Sequence, residues 1–181
     1  RPRIVVAVHA PATAQALLAA RIDRLPPGEK ALLQTASVVG KDLPYLLLKD
    51  IADLPEEELR RGLAHLQAAE FIYETSLYPD LEYTFKHALV QDAAYESLLK
   101  SRRQVLHEKV ADAIEAHQSH VRDVEPELLA HHLTHAAKIH AAVPLWQLAG
   151  DLSIRRLAFP DATIHLTTGL ELLRHLPQSV E

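Results

Sequence analysis

Histidines are the residues of this chain best suited to chemistry, and there are twelve of them. His131 and His135 are four residues apart, so on a helix they share one face with the spacing of two zinc ligands. His132 is expected on another face, and His107-Glu108 lacks the second histidine of an H-E-x-x-H motif. Because the spacing indicates no third ligand, we expect no metal site.

The other residue types that carry chemistry also form no recognisable motif. The chain has no cysteine, which excludes disulfides, thiolate metal sites and a cysteine nucleophile. Its five glycines form no G-x-x-x-x-G-K-[ST] phosphate-binding loop. No G-x-S-x-G elbow occurs, and the scattered serines show no spacing to a base. The sequence therefore predicts that this chain is not an enzyme, hydrolyses no ATP and holds no cofactor.

The elements expected to position these residues are mostly helical, because apolar residues recur every three or four positions. In the first half, the helices are expected at residues 13–25, 27–39 and 44–52, and from Pro55 onward. Two β-branched and aromatic runs, 71–77 and 81–85, flank Tyr78-Pro79-Asp80 and predict a β-hairpin. Helices followed by one hairpin are typical of a winged helix, here at residues 12–88.

The second half is predicted to be entirely helical, with short connections that favour antiparallel neighbours. Its helices are expected at residues 88–99, 101–118, 126–137, 142–157 and 160–175. The last two carry Trp146, Gly150, Ala162 and Leu166 at positions similar to those of a tetratricopeptide repeat (TPR), with Gly169 and Pro177 beyond. Gly150 and Ala162 would let the two helices approach closely. The predicted fold is a mostly α chain: a winged helix, a helical connector over 89–140, and a first TPR-like helix pair over 141–181.

Charge and hydropathy narrow the classes of partner. The net charge is −5, and the predicted winged helix carries carboxylates both at the start of its last helix, at Glu56 to Glu58, and in the hairpin. These would meet phosphates unfavourably, so nucleic acid is not an expected partner. No apolar run approaches the roughly 20 residues that span a bilayer, and no cleavable signal is present, so we expect a cytoplasmic protein without membrane contact. The absence of methionine suggests a piece of a longer polypeptide.

Three segments resemble one family of multidomain signalling ATPases. They are PATAQALLAARIDRLP (11–26), LPEEELRRGLAHLQAAEF (54–71) and YTFKHALVQDAAYESL (83–98). The family is related to the STAND class and joins a class III adenylate or guanylate cyclase domain to a nucleotide-binding ATPase and TPR repeats. This chain resembles the stretch that follows the ATPase core. The resemblance implies that residues 1–11 link it to an upstream ATPase, which would bind ATP or ADP and Mg²⁺.

The resemblance also implies a role for His87, which directly follows the second hairpin strand. In some STAND relatives, a winged-helix histidine contacts the diphosphate of bound ADP; the residue after it is commonly acidic, whereas this chain has Ala88. The resemblance thus implies a regulatory region that couples nucleotide state to protein partners bound by TPR-like repeats, with His87 as a nucleotide sensor. Two alternatives remain open: part of a STAND-type transcription regulator, and a plain TPR-like interaction scaffold.

Overall fold

A computed structural model of the chain describes residues 12–76, 80–117 and 121–174. The expected linker 1–11, most of the hairpin turn and the end of the last predicted segment, 175–181 with Pro177, lie outside these residues. The described part is mostly helical with one small antiparallel sheet, which confirms the predicted mostly α class. The chain divides into two compact units between Leu98 and Leu99.

The first unit contains five helices and three strands among its described residues. They are α1 (Ala12–Asp23), α2 (Pro27–Val39), β1 (Asp42–Pro44), α3 (Tyr45–Ile51), α4 (Glu56–Ala68), β2 (Ile72–Ser76), β3 (Glu82–Phe85) and α5 (Ala88–Glu96). Pro27 begins α2, where a missing N–H costs nothing, and Gly40 follows it with a φ of 142° that favours glycine. Leu32, Leu33 and Leu63 are fully buried in the core.

The sheet has the strand order β1-β3-β2, with both pairs antiparallel. The predicted hairpin is confirmed as β2 and β3, with Ile72 opposite Phe85. Strand β1 is not indicated by the sequence pattern, which predicts a helix from Pro44. Instead, residues 42–44 pair with β3 and α3 begins at Tyr45. A three-residue strand is too short to show the alternation that marks longer strands.

Helix α5 packs against α1 and α2, so the first compact unit extends from the predicted limit of the winged helix at residue 88 to Leu98. The side chains of Val90, Ala93 and Ala94 are buried. In addition, the Gln34 Nε2 donates to Ser97 Oγ at 2.8 Å. These contacts hold the segment after His87 on the same unit as the hairpin.

The described residues of the second unit form helices joined by short turns. Its described elements are α6 (Lys100–His117), α7 (Val121–Val124), α8 (Pro126–His135), α9 (Ile139–Arg155) and α10 (Phe159–Arg174). Helix α8 packs against α6 on one side and α9 on the other, and α9 packs along α10. No helix within the described ranges combines the length and apolar character needed to cross a membrane.

A strained residue in the turn after α8 offers a test of the fold. Ala137 has a φ of 61°, while the Lys138 and Ala137 amides donate to the carbonyls of Leu133 and Thr134 at 2.9 and 3.0 Å. This is the Schellman pattern, whose left-handed residue is usually glycine. Ala137→Gly is expected to stabilise the second unit by about 0.5–1 kcal/mol, because it removes a left-handed Cβ.

The measurement is urea unfolding followed by the fluorescence of Trp146, the single tryptophan of the chain. The matched control is Ala136→Gly, because Ala136 has an ordinary helical φ of −76°. The control is expected to destabilise the unit by about 0.5–1 kcal/mol. Equal effects at the two positions would contradict the strain at Ala137.

Candidate functional sites

His87 lies exposed between β3 and α5, at the N-cap position of α5. Its backbone is extended, with φ −143° and ψ 138°, and its carbonyl accepts a hydrogen bond from Val90 N at 2.9 Å. The side chain makes no capping hydrogen bond. An exposed imidazole at a helix N-terminus can donate to an anion that the helix dipole also favours.

A small group of charges surrounds this junction. Lys86 Nζ lies 2.8 Å from Glu70 Oε1. That hydrogen bond and the positive charge of Lys86 lower the pKa of the Glu70 carboxyl, and Arg21 and His87 act in the same direction. Arg21 also donates to the carbonyl of Ala69 at 3.0 Å. The junction therefore presents three basic side chains around one carboxylate.

The acidic start of α4 is occupied by its own ion pairs. Glu56 lies 2.7 Å from Lys49 Nζ and 2.9 Å from the Arg60 guanidinium. Hydrogen bonds from Lys49 and Arg60 hold the pKa of the Glu56 carboxyl well below its usual range. Lys49 of α3 and Arg60 of α4 thus already have a carboxylate partner.

The predicted close approach of the last two helices is present. An added Cβ at Gly150 would lie 2.5 Å from Cγ and Cδ2 of Leu166, and one at Gly169 would lie 3.3 Å from Trp146 Cβ. These two pairs run in opposite chain directions, so α9 and α10 are antiparallel. Ala162 is buried, and Leu166 is half-buried.

Trp146 joins three helices of the second unit. Its side chain is 9% exposed, and its indole Nε1 donates to Thr134 Oγ1 of α8 at 3.0 Å. On the other side, its ring stacks on His165 of α10, with 5.5 Å between ring centroids. The tryptophan therefore holds the helix pair on α8 through both packing and a hydrogen bond.

A groove of about 290 Å³ runs between α9 and α10. It is lined by Val143, Gln147, Asp151, Leu166, Gly169, Leu170 and Leu173. Leu170 and Leu173 are 55% and 48% exposed, and Ile164 of the same helix is 60% exposed. An apolar surface of this kind, with a polar rim, is typical of a site where another helix packs.

Four histidines meet between α6 and α8. The ring of His107 lies 5.7, 5.1 and 4.8 Å from the rings of His131, His132 and His135, measured between centroids. His131 and His135, which the helical spacing paired, are 4.5 Å apart. Nδ1 of His107 and Nδ1 of His132 are 2.9 Å apart, a hydrogen bond in which one ring donates and the other accepts.

Two of these rings are deeply buried. His107 and His132 are 1% and 2% exposed, whereas His131 and His135 lie at the surface. Burial lowers the pKa of His107 and of His132 to about 3, and the neighbouring rings act in the same direction. Loss of water around His131 and His135 lowers the pKa of these two rings as well. All four imidazoles are therefore neutral at pH 7.

The sequence pattern indicates only part of this histidine cluster. Helical spacing identified His131 and His135, but it assigned His132 to a separate face and gave His107 no partner. The packing of α6 on α8 brings His107 against all three, although it is 25 residues from His132. Among the side chains that the structure describes, no group of three or more carboxylates and histidines is arranged to hold a metal ion.

Fold and sites together describe a mostly helical protein of two compact units, with an exposed histidine junction in one and a helix-pair groove in the other. The chain is similar to an uncharacterized protein of Rhizobium meliloti (strain 1021), at 26% identity over 166 residues. The match covers 91% of this chain but only 16% of that protein. No protein-family model and no solved structure matches the chain.

Proposed function

We propose that this chain is a non-catalytic regulatory and protein-interaction region of a multidomain signalling ATPase that carries a class III cyclase domain. It couples the nucleotide state of an upstream ATPase to the binding of protein partners by TPR-like helix pairs. The observation that carries this proposal is the exposed apolar groove between α9 and α10.

The groove supports an interaction role because, among the described residues, other helices pack against only one side of α10. Large apolar side chains stay exposed along the groove, on the far side of α10 and in the preceding turn: Leu157, Phe159, Ile164, Leu170 and Leu173 are all at least 48% exposed. A single helix pair cannot bury both of its faces, so stacked pairs or a partner helix normally cover such a surface. The 16% share of the Rhizobium meliloti protein leaves ample length for further pairs in a protein of that kind.

A sensing role for His87 is supported by its exposure and by its place at the junction of β3 and α5. Its side chain can donate to a phosphate oxygen, while Arg21 and Lys86 add positive charge nearby. Because α5 packs on α1 and α2, a nucleotide held at this junction would bias the position of the whole first unit.

The test uses the parent protein with its upstream ATPase. Hydrogen exchange of the α10 amides is measured with ADP and with ATP bound, and the nucleotide affinities are measured in parallel. We expect the two nucleotides to give different protection of α10. We also expect His87→Ala to abolish that difference and to weaken ADP binding about tenfold, which corresponds to about 1.4 kcal/mol.

The matched control is His140→Ala, another exposed histidine, at the start of α9. It should leave both the ADP affinity and the exchange difference unchanged. Protection of α10 that is identical in the two nucleotide states would contradict coupling and favour a plain interaction scaffold. An unchanged ADP affinity in a folded His87→Ala protein would remove His87 from the mechanism.

A further inference from the structure

The histidine cluster of α6 and α8, formed by His107, His131, His132 and His135, has no part in the proposed function. The four rings form one contiguous cluster, since the centroids of the neighbouring pairs are 4.5 to 5.7 Å apart. The cluster joins two helices that are linked through α7 in the chain. Its protonation state therefore bears directly on how α6 and α8 pack.

The hydrogen bond between His107 and His132 requires that at least one of the two rings is neutral. Two Nδ1 atoms 2.9 Å apart can share one hydrogen, so one ring donates from Nδ1 and the other offers a lone pair. If both rings were protonated, two N–H groups would face each other inside the helix interface. The cost would include burial of two like charges as well as loss of the hydrogen bond.

The surrounding charges do not relieve this cost. On α6, Arg103 acts unfavourably on protonated His107 and His135. The α6 carboxylates Glu108 and Asp112 are engaged by Lys138, at 2.7 and 3.9 Å. From α7, Arg122 faces Glu115 of α6 at 3.7 Å.

On the other side of α8, α9 contributes the neutral indole of Trp146, which donates to Thr134. Histidine is the side-chain type of this interface whose ordinary pKa, near 6.5, lies between about pH 5 and pH 7.

We propose that the histidine cluster makes the packing of α6 against α8 a proton-sensitive contact, closed when the rings are neutral and opened when they take up protons. Opening exposes the buried face of α8, which includes Leu129 and Leu133, at 0% and 5% exposed in the closed form. Mild acid thus uncovers an apolar helix face in the second unit. The direction of the pH effect follows from linkage. Rings in the opened or unfolded chain have a pKa near 6.5 and bind protons, whereas rings in the closed form stay neutral, so acid favours opening.

The test is urea unfolding of the full chain at about pH 7.5 and about pH 5, with EDTA present and Trp146 fluorescence as the readout. As the pH falls from about 7.5 to about 5, each buried ring becomes protonated in the unfolded chain, which should raise the equilibrium constant of unfolding about 30-fold. For His107 and His132 together, the expected increase is about a thousandfold. The double variant His107→Phe/His132→Phe keeps two rings but cannot be protonated, so it should lose most of this pH dependence. If the double variant were as sensitive to acid as the unsubstituted chain, the proposal would be overturned.

The matched control is His140→Phe, the same change at an exposed histidine of α9, which should keep the full pH dependence. A second measurement needs no variant, and so covers the case in which the double variant does not fold. The ring Cε1–H resonances of His107 and His132 should keep their neutral positions in the folded protein down to the pH at which the α6 and α8 amides lose protection. Ordinary titration near pH 6.5 with that protection intact would overturn the proposal.

Discussion

Replacement of Trp146 by alanine is expected to lower the free energy of unfolding of the second unit by about 3–5 kcal/mol, the range for truncating a buried aromatic. The indole is 9% exposed and lies between Thr134 of α8 and His165 of α10. Its loss leaves a cavity where three helices meet and removes the donor to Thr134. The measurement is urea unfolding followed by circular dichroism, because the variant has no tryptophan.

Trp146→Phe separates packing from hydrogen bonding at the same site. Phenylalanine keeps an aromatic ring against His165 and Gly169 but lacks the N–H that reaches Thr134. Thr134 still donates to the carbonyl of Ala130 at 2.7 Å, so its hydroxyl is not left without a partner. We therefore expect a smaller loss, about 1–2 kcal/mol. If Trp146→Phe lost as much stability as the alanine variant, the hydrogen bond rather than the packing of the ring would account for most of the contribution of Trp146 to stability.

The local part of this fold could be predicted from the sequence because its signals lie within short segments. Helix α2 was predicted at 27–39 and spans Pro27–Val39, since Pro27 and Gly40 mark its ends. The hairpin was predicted from two β-branched and aromatic runs and is confirmed. The close contact of α9 with α10 followed from Gly150 and Ala162, two small residues on facing helices.

The parts that were missed depend on contacts between distant segments. Strand β1 has three residues and exists only because Asp42 to Pro44 pair with β3, about 40 positions later in the chain. Likewise, His107 has no neighbour in the sequence that marks it as part of a cluster. Its partners are supplied by α8, and helical spacing describes only the residues of one helix at a time.

Gly150→Ala is expected to lower the free energy of unfolding of the second unit by about 2 kcal/mol. The added Cβ would lie 2.5 Å from both Cγ and Cδ2 of Leu166, and Cγ is the branch point of that side chain rather than its mobile end. Overpacking of this kind costs about 1–3 kcal/mol, here near the upper end. The better helix propensity of alanine returns about 1 kcal/mol. The fluorescence of Trp146 during urea unfolding measures the net effect.

A double-mutant cycle assigns this loss to the contact itself. Leu166→Ala removes the atoms that the new Cβ would meet, so Gly150→Ala made in that background should cost little or even stabilise α9. Gly28→Ala, in α2 of the first unit, is the matched control, because nothing lies within 4 Å of the added Cβ there. Alanine at that position should be neutral or stabilising by up to about 1 kcal/mol. If Gly150→Ala behaved like Gly28→Ala, α9 and α10 would be able to separate without cost, and the groove between them would not be a fixed surface.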